Sequence, residues 1–213
     1  MIRGAAEIVD VPGSGSAEWS AFAALYHAAF PPGEREPDRL VAARLDAGRY
    51  RIRISRSARG HVTGGYVVDR VTEHDYALLC YVAVAAAWRK AGIGRRLCAD
   101  AVTLFRGKGR PGWLLVEAKP RAARLYRRCG FARLDLDYRV PFHDGPGEQR
   151  MVLLALHRQG APSRVARRTL VAMIRDLYLD GYLVAEDDPR LRDQLARIPD
   201  EVMVEDAPIP AAG

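Results

Sequence analysis

Residues 75–105 read DYALLCYVAVAAAWRKAGIGRRLCADAVTLF. The run from Tyr76 to Val84 is apolar and rich in β-favouring side chains, which predicts a buried strand. A short alanine linker leads to Arg89-Lys90-Ala91-Gly92-Ile93-Gly94, after which Ile93, Leu97, Ala101, Leu104 and Phe105 recur on one helix face. A strand, a basic glycine-containing turn and a helix form a phosphate-binding arrangement. The first N–H groups of a helix have no intrahelical partner and carry a partial positive charge of about half a unit. Glycines let a pyrophosphate approach them closely.

Working toward the N-terminus, residues 2–11 read as a strand, 17–30 as a helix stopped by Pro31-Pro32, and 38–47 as a helix ended by Gly48. Tyr50, Ile52 and Ile54 alternate with Arg51 and Arg53 as a half-exposed strand, and His61 to Val71 forms another. Toward the C-terminus, Trp113 to Glu117 is a short buried strand, 120–129 a helix capped by Gly130, and Phe131 opens a strand. Residues 135–140 and 150–157 form an antiparallel pair around PFHDGPGEQ. The order implies an α/β fold with a mixed sheet flanked by helices. Residues 1–158 are read as one domain and 159–213 as a helical extension. Ser163 caps its first helix, 189–197 form a short last one, and the acidic end is loose.

The chain has 213 residues and a formal net charge of +7, unevenly placed. Residues 89–133 hold 13 Lys/Arg against two acids, whereas residues 186–213 hold eight acids against three arginines. The basic block is either a solvated face or the footprint of a polyanionic ligand, and its coincidence with the glycine turn favours the ligand. No apolar run is long enough to span a membrane, and no signal-peptide pattern opens the chain. Cys80, Cys98 and Cys129 lack metal-ligand spacing and are expected as buried thiols in a reducing cytoplasm, with no metal site. The turn lacks the third glycine of a dinucleotide fold, since Leu97 stands there, and the Gly-Lys-Ser/Thr of a P-loop.

YVAVAAAWRKAGIG resembles the strand and Arg/Gln-x-x-Gly-x-Gly/Ala turn of the GNAT superfamily of acyl-CoA-dependent N-acyltransferases. KPRAARLYRRCGF is similar to that family's Asn-x-x-Ala-x-x-Leu-Tyr…Gly-Phe. The resemblance covers about residues 5–157 and implies a GNAT-like central mixed sheet with acetyl-CoA as co-substrate. Backbone N–H groups of Arg89, Lys90, Ala91, Gly92, Ile93, Gly94 and Arg95 would hold the pyrophosphate, with Lys119 as a further donor. The pantetheine arm would lie between the central strand and the next. Backbone groups of Val82 and Val84 would bond it and polarise the thioester carbonyl.

An amine with a pKa near 10.4 must lose a proton before it attacks a thioester, and a departing thiol, pKa near 8.5, needs one. Tyr126 stands at the family's position for that acid; on spacing alone it is equally a core tyrosine. The acid that often opens the central strand in relatives is replaced by Cys80. Glu117, inside WLLVEAK, is the substitute base, unless it merely pairs with Lys119 or an arginine. Glu73, His74 and Asp75 are weaker candidates in a turn. By fold analogy, Glu34, Arg35, Glu36, His143 and Asp144 would line the acceptor side.

The resemblance thus implies acetyl transfer to a primary amine, most simply of a small molecule, by direct attack in a ternary complex. A hydroxyl acceptor or another acyl-CoA is the enzymatic alternative, and a CoA-binding protein without transferase activity is the other. A nucleic-acid partner is disfavoured, because exposed aromatics do not interleave the basic block. Relatives are often homodimers. The acidic end could lie against the basic block.

Overall fold

A computed structural model describes residues 7–70, 74–107, 111–160 and 162–205. They form two compact units, one from residues 7–70 and 77–107, the other from residues 74–76 and 111–205. The extension expected after residue 158 shares the second unit with the strands that precede it. Among the described residues no helix is long and apolar enough to cross a membrane.

The first unit runs β1 (Glu7–Asp10), α1 (Ala17–Ala29), α2 (Asp38–Asp46), β2 (Tyr50–Arg56), β3 (Val62–Asp69), β4 (Tyr76–Val84, its first residue counted in the other unit) and α3 (Ile93–Arg106). The four strands pair antiparallel in chain order. Ser16 caps α1 by accepting the Trp19 N–H at 3.1 Å. Phe22 and Tyr26 of α1, Val41 and Leu45 of α2, and Tyr50, Ile52, Ile54 and Val67 of the sheet form one apolar core. The other face of the sheet receives α3. Gly64 of β3 makes that possible: a Cβ there would sit 2.8 Å from the Ala83 carbonyl oxygen and 2.9 Å from Leu97 Cδ1. Asp100 of α3 then accepts from Arg53 and from the Tyr66 hydroxyl, both at 2.6 Å.

Glu36 departs from expectation. It does not line an acceptor loop; it is 4% exposed inside the first unit. Arg44 Nη1 lies 2.6 Å from its Oε2, and the Tyr50 hydroxyl donates to its Oε1 at 2.7 Å. Its backbone N–H donates to the Tyr81 hydroxyl at 3.1 Å. Burial pushes the Glu36 carboxyl above the usual carboxylate range, against the pull of the Arg44 charge. The segment after α1 is thereby pinned onto β2 and β4. Arg35, beside it, pairs with Asp38 at 3.7 Å, and Glu34 ends the preceding short turn.

The second unit runs β5 (Trp113–Ala118), α4 (Pro120–Arg127), β6 (Ala132–Leu134), β7 (Tyr138–Pro141), β8 (Glu148–His157), β9 (Arg164–Ala166), α5 (Arg167–Asp176), α6 (Pro189–Ala196) and β10 (Glu201–Glu205). The long β8 is its spine. Residues Glu148 to Met151 pair with β7, and residues beyond pair with β5 and, at Leu154 and Ala155, with β6. Ser163 is not a helix cap, because Val165 pairs with Val202 in a β9–β10 ladder and α5 begins at Arg167. Burial of both valines overrides the helical reading of that stretch. Nor is residue 201 onward all loose: β10 pairs Val204 with Leu134 of β6. Residues 206–213, the rest of that end, lie outside the described residues.

The extension also bonds the unit through side chains. The Tyr76 hydroxyl donates to Asp176 at 2.6 Å across 100 residues of chain. Gln194 of α6, wholly buried, accepts the Arg139 N–H at 2.9 Å and donates to the Asp137 carbonyl at 3.2 Å. Its acids mostly meet arginines of the extension itself, Glu186 with Arg175, Asp188 with Arg190 and Glu201 with Arg164. Glu205 alone of these pairs reaches the basic block, with Arg133 at 3.4 Å.

Two stability measurements check this account. Gly64→Ala is expected to cost about 1–3 kcal/mol in urea unfolding, because backbone at Ala83 must give way. Arg44→Met leaves Glu36 buried without its cation and should cost about 3–5 kcal/mol at neutral pH. Because the folded state then favours protonated Glu36, that loss is largest above its titration and shrinks on acidification.

Candidate active site

In the first unit the chain leaves β4, makes a short 3₁₀ turn over Ala86–Trp88 and enters α3 through Gly92. Gly92 has φ +78°, and Lys90 is also left-handed at +64°. Nothing lies within 4 Å of where a Gly92 Cβ would stand, so the glycine serves backbone conformation rather than space. No side chain caps the helix, and its first turn has no acid. The N–H groups of Gly92, Ile93, Gly94 and Arg95 are those that a helix leaves without an intrahelical partner. Arg89, Lys90, Arg95 and Arg96 around them are exposed, and Ala91 is half-buried. An open, positive helix start of this kind can receive an anion.

Strand β4 carries a second preparation. The Ala85 N–H donates to the Thr63 carbonyl of β3 at 3.0 Å. Since backbone groups alternate along a strand, those of Val84 and Val82 face away from β3. The Val84 carbonyl also receives Arg89 Nε at 3.4 Å. Cys80 sits at an irregularity of the β3–β4 ladder, where Val67 and Val68 pair with Tyr81 and Leu79 and skip it. Its half-buried thiol lies 3.5 Å from the Leu78 carbonyl.

In the second unit Glu117 stands on β5 among buried neighbours, Val116 and Ala118, and opposite Leu153 of β8. Its partners are phenols rather than the lysine or arginine considered from sequence. The Tyr138 hydroxyl donates to Oε1, and the Tyr182 hydroxyl donates to Oε2 at 2.9 Å. Burial raises the Glu117 carboxyl above its ordinary range, while the two hydroxyls favour its charged form and oppose the rise. Tyr138 is itself pushed well above the usual phenol range by burial and by the adjacent carboxylate.

Tyr126 lies on the inner face of α4, 8% exposed, its ring edge-on to Phe131 at 5.9 Å. Its position is compatible with both readings made from sequence. Lys119 occupies the cap position of α4 without a capping side-chain bond, where an Asn of the family pattern could have made one. His143 stacks on Tyr182 with centroids 5.0 Å apart, and Asp144 is exposed. Asp75 is structural: its carboxylate and carbonyl accept the Gly112 N–H, both at 3.1 Å. His74 is exposed in the same turn, and Glu73 lies outside the described residues. Sequence reasoning missed Tyr182 entirely. It lies 65 residues from Glu117, in the extension, and no local pattern announces that pairing.

Residues 48–133 match the family model described as an acetyltransferase (GNAT) domain. No curated protein sequence matches the chain. Among solved structures, a GNAT-family protein from Bacteroides thetaiotaomicron superposes with a TM-score of 0.68 at 19% identity, covering 84% of this chain and 99% of its own. An acetyltransferase from Bacillus subtilis in complex with CoA gives 0.54 at 20% identity, over 72% of this chain and 99% of its own. Spermidine N-acetyltransferase from Vibrio cholerae, in complex with CoA and spermine, gives 0.57 at 15% identity, over 73% of this chain and 96% of its own. These likenesses are of fold, and they agree with the domain match and with the strand–turn–helix it contains. Residues 48–133 therefore carry a GNAT acetyltransferase domain, and the superposed GNAT-family structure shares its fold.

Proposed function

We propose that this protein transfers an acetyl group from acetyl-CoA to a primary amine of a small molecule, by direct attack with both substrates bound. The observation that carries the reading is Glu117: a carboxylate on a core strand, raised in pKa by burial and held by neutral phenols instead of a cation. Such a group can take a proton from an ammonium without breaking an ion pair. As the C–N bond forms and the C–S bond breaks, Glu117 accepts the amine's proton and Tyr126 gives one to the departing sulfur.

The donor's pyrophosphate is assigned to the N–H groups of Gly92 to Arg95, with charge from Arg89 and Lys90, and Lys119 as a further donor. The pantetheine arm is assigned to the backbone of Val82 and Val84, on the side away from β3. The CoA held by the Bacillus subtilis protein supports a CoA-type donor, and the spermine held with CoA in the Vibrio cholerae protein makes polyamines the first acceptors to try.

The test is CoA-thiol release from acetyl-CoA against spermidine, amino acids, an aminoglycoside and a short peptide. Glu117→Gln is expected to lower kcat by about 10²–10⁴-fold with the KM for acetyl-CoA little changed. In the native protein the rate should fall on acidification, with a midpoint above about 4.3, the ordinary glutamate value, because protonated Glu117 cannot act as base. Tyr126→Phe should lower kcat less for acceptors attacking slowly than for those limited by thiolate departure. Retention of full kcat in both variants would assign proton transfer to other residues, and no thiol release with any acceptor while CoA still binds would leave the domain as a CoA-binding protein.

A further inference from the structure

Helix α5 is regular to Asp176 and then widens into a π-helical turn, Leu177–Gly181. The Tyr182 N–H closes that turn on the Leu177 carbonyl at 3.1 Å. Tyr178, fully buried, donates its hydroxyl to the Arg139 carbonyl. Tyr182 stands edge-on to it at 6.0 Å, and the next residue, Leu183, is left-handed at φ +56° and 58% exposed. The widened turn and the unusual φ aim the Tyr182 ring along His143 and its hydroxyl at Glu117 Oε2.

The two phenols on Glu117 differ. Tyr138 comes from β7 and is wholly buried, so it is a fixed clamp. Tyr182 is half-buried, as Glu117 is, and its ring stacks on half-buried His143. We propose that Tyr182 is a positioning residue: the C-terminal extension supplies the hydroxyl that orients Glu117 toward the incoming amine. This rests on the reading of Glu117 as base. It makes the extension a working part of the site, although it lies outside the residues matched by the family model. Among the described residues the titratable groups that interact with Glu117 are Tyr138 from β7 and Tyr178 and Tyr182 from the extension; the β5 and β8 neighbours Val116, Ala118 and Leu153 are apolar.

Tyr182→Phe tests the proposal, since it keeps the ring against His143 and deletes only the hydroxyl. The full chain is labelled with glutamate ¹³C at the side-chain carboxyl, and Glu117 is identified by the resonance missing from Glu117→Gln. Loss of a hydrogen bond to the charged form should move the Glu117 midpoint upward by about one pH unit. The acidic limb of kcat/KM with spermidine should move with it, so that the rate on that limb falls roughly tenfold, with the KM for acetyl-CoA unchanged. A Glu117 midpoint that stays put in Tyr182→Phe overturns the role of Tyr182. A midpoint that moves while the acidic limb does not overturns instead the reading of Glu117 as base.

Discussion

The close approach of α3 to β3 is the constraint on which the first unit depends. Gly64 removes the one side chain that would hold the helix off the strand, and Ile93 and Leu97 occupy the space it leaves. Gly65, next along the strand, faces the opposite way and admits Phe22 of α1. Helices therefore close on both faces of β3 at the same level. Ile93 is also the first residue of α3, so the contact that packs the helix fixes the direction of its N-terminal N–H groups. Packing of the helix and the aim of its first N–H groups are here one constraint seen from two ends of one turn.

Two carboxylates set among core side chains show how surroundings distinguish acids that look alike. Both Glu36 and Glu117 are raised by burial and both accept from tyrosine hydroxyls. Glu36 also has Arg44 within 2.6 Å, so its protonation would strand a buried guanidinium. Among the described residues Glu117 accepts from the neutral hydroxyls of Tyr138 and Tyr182, and a change of charge there breaks no ion pair. From sequence the two look alike, each an acid beside apolar or basic neighbours. The difference comes from residues distant in the chain.

What was legible in the sequence is what local pattern encodes. The strand, turn and helix of residues 76–106 were readable because apolar runs, glycines and helical spacing fall within a few residues of one another. The same holds for α1, α2, α4 and the strands of the sheet. Legibility failed where a long-range pairing decided the outcome. Val165 looked helical until Val202 paired with it, and residues 201–205 looked loose until β6 took them in. Glu36 read as a loop residue because Tyr50 and Tyr81, which bury it, arrive on later strands. Glu117 stood out as an acid in an apolar strand, but its hydroxyl partners, Tyr138 and Tyr182, could not be named.

The extension has a consequence for how the chain comes together during synthesis. Every described residue of the first unit has been made by position 107, whereas β6 waits for β10, and Tyr76 waits for Asp176, 100 residues later. Until residues 201–205 emerge, one edge of β6 presents unpaired backbone groups, and an open strand edge is a template for another chain. The second unit therefore has a vulnerable interval that the first does not, and its length is set by translation of the extension rather than by the folding of the strands themselves.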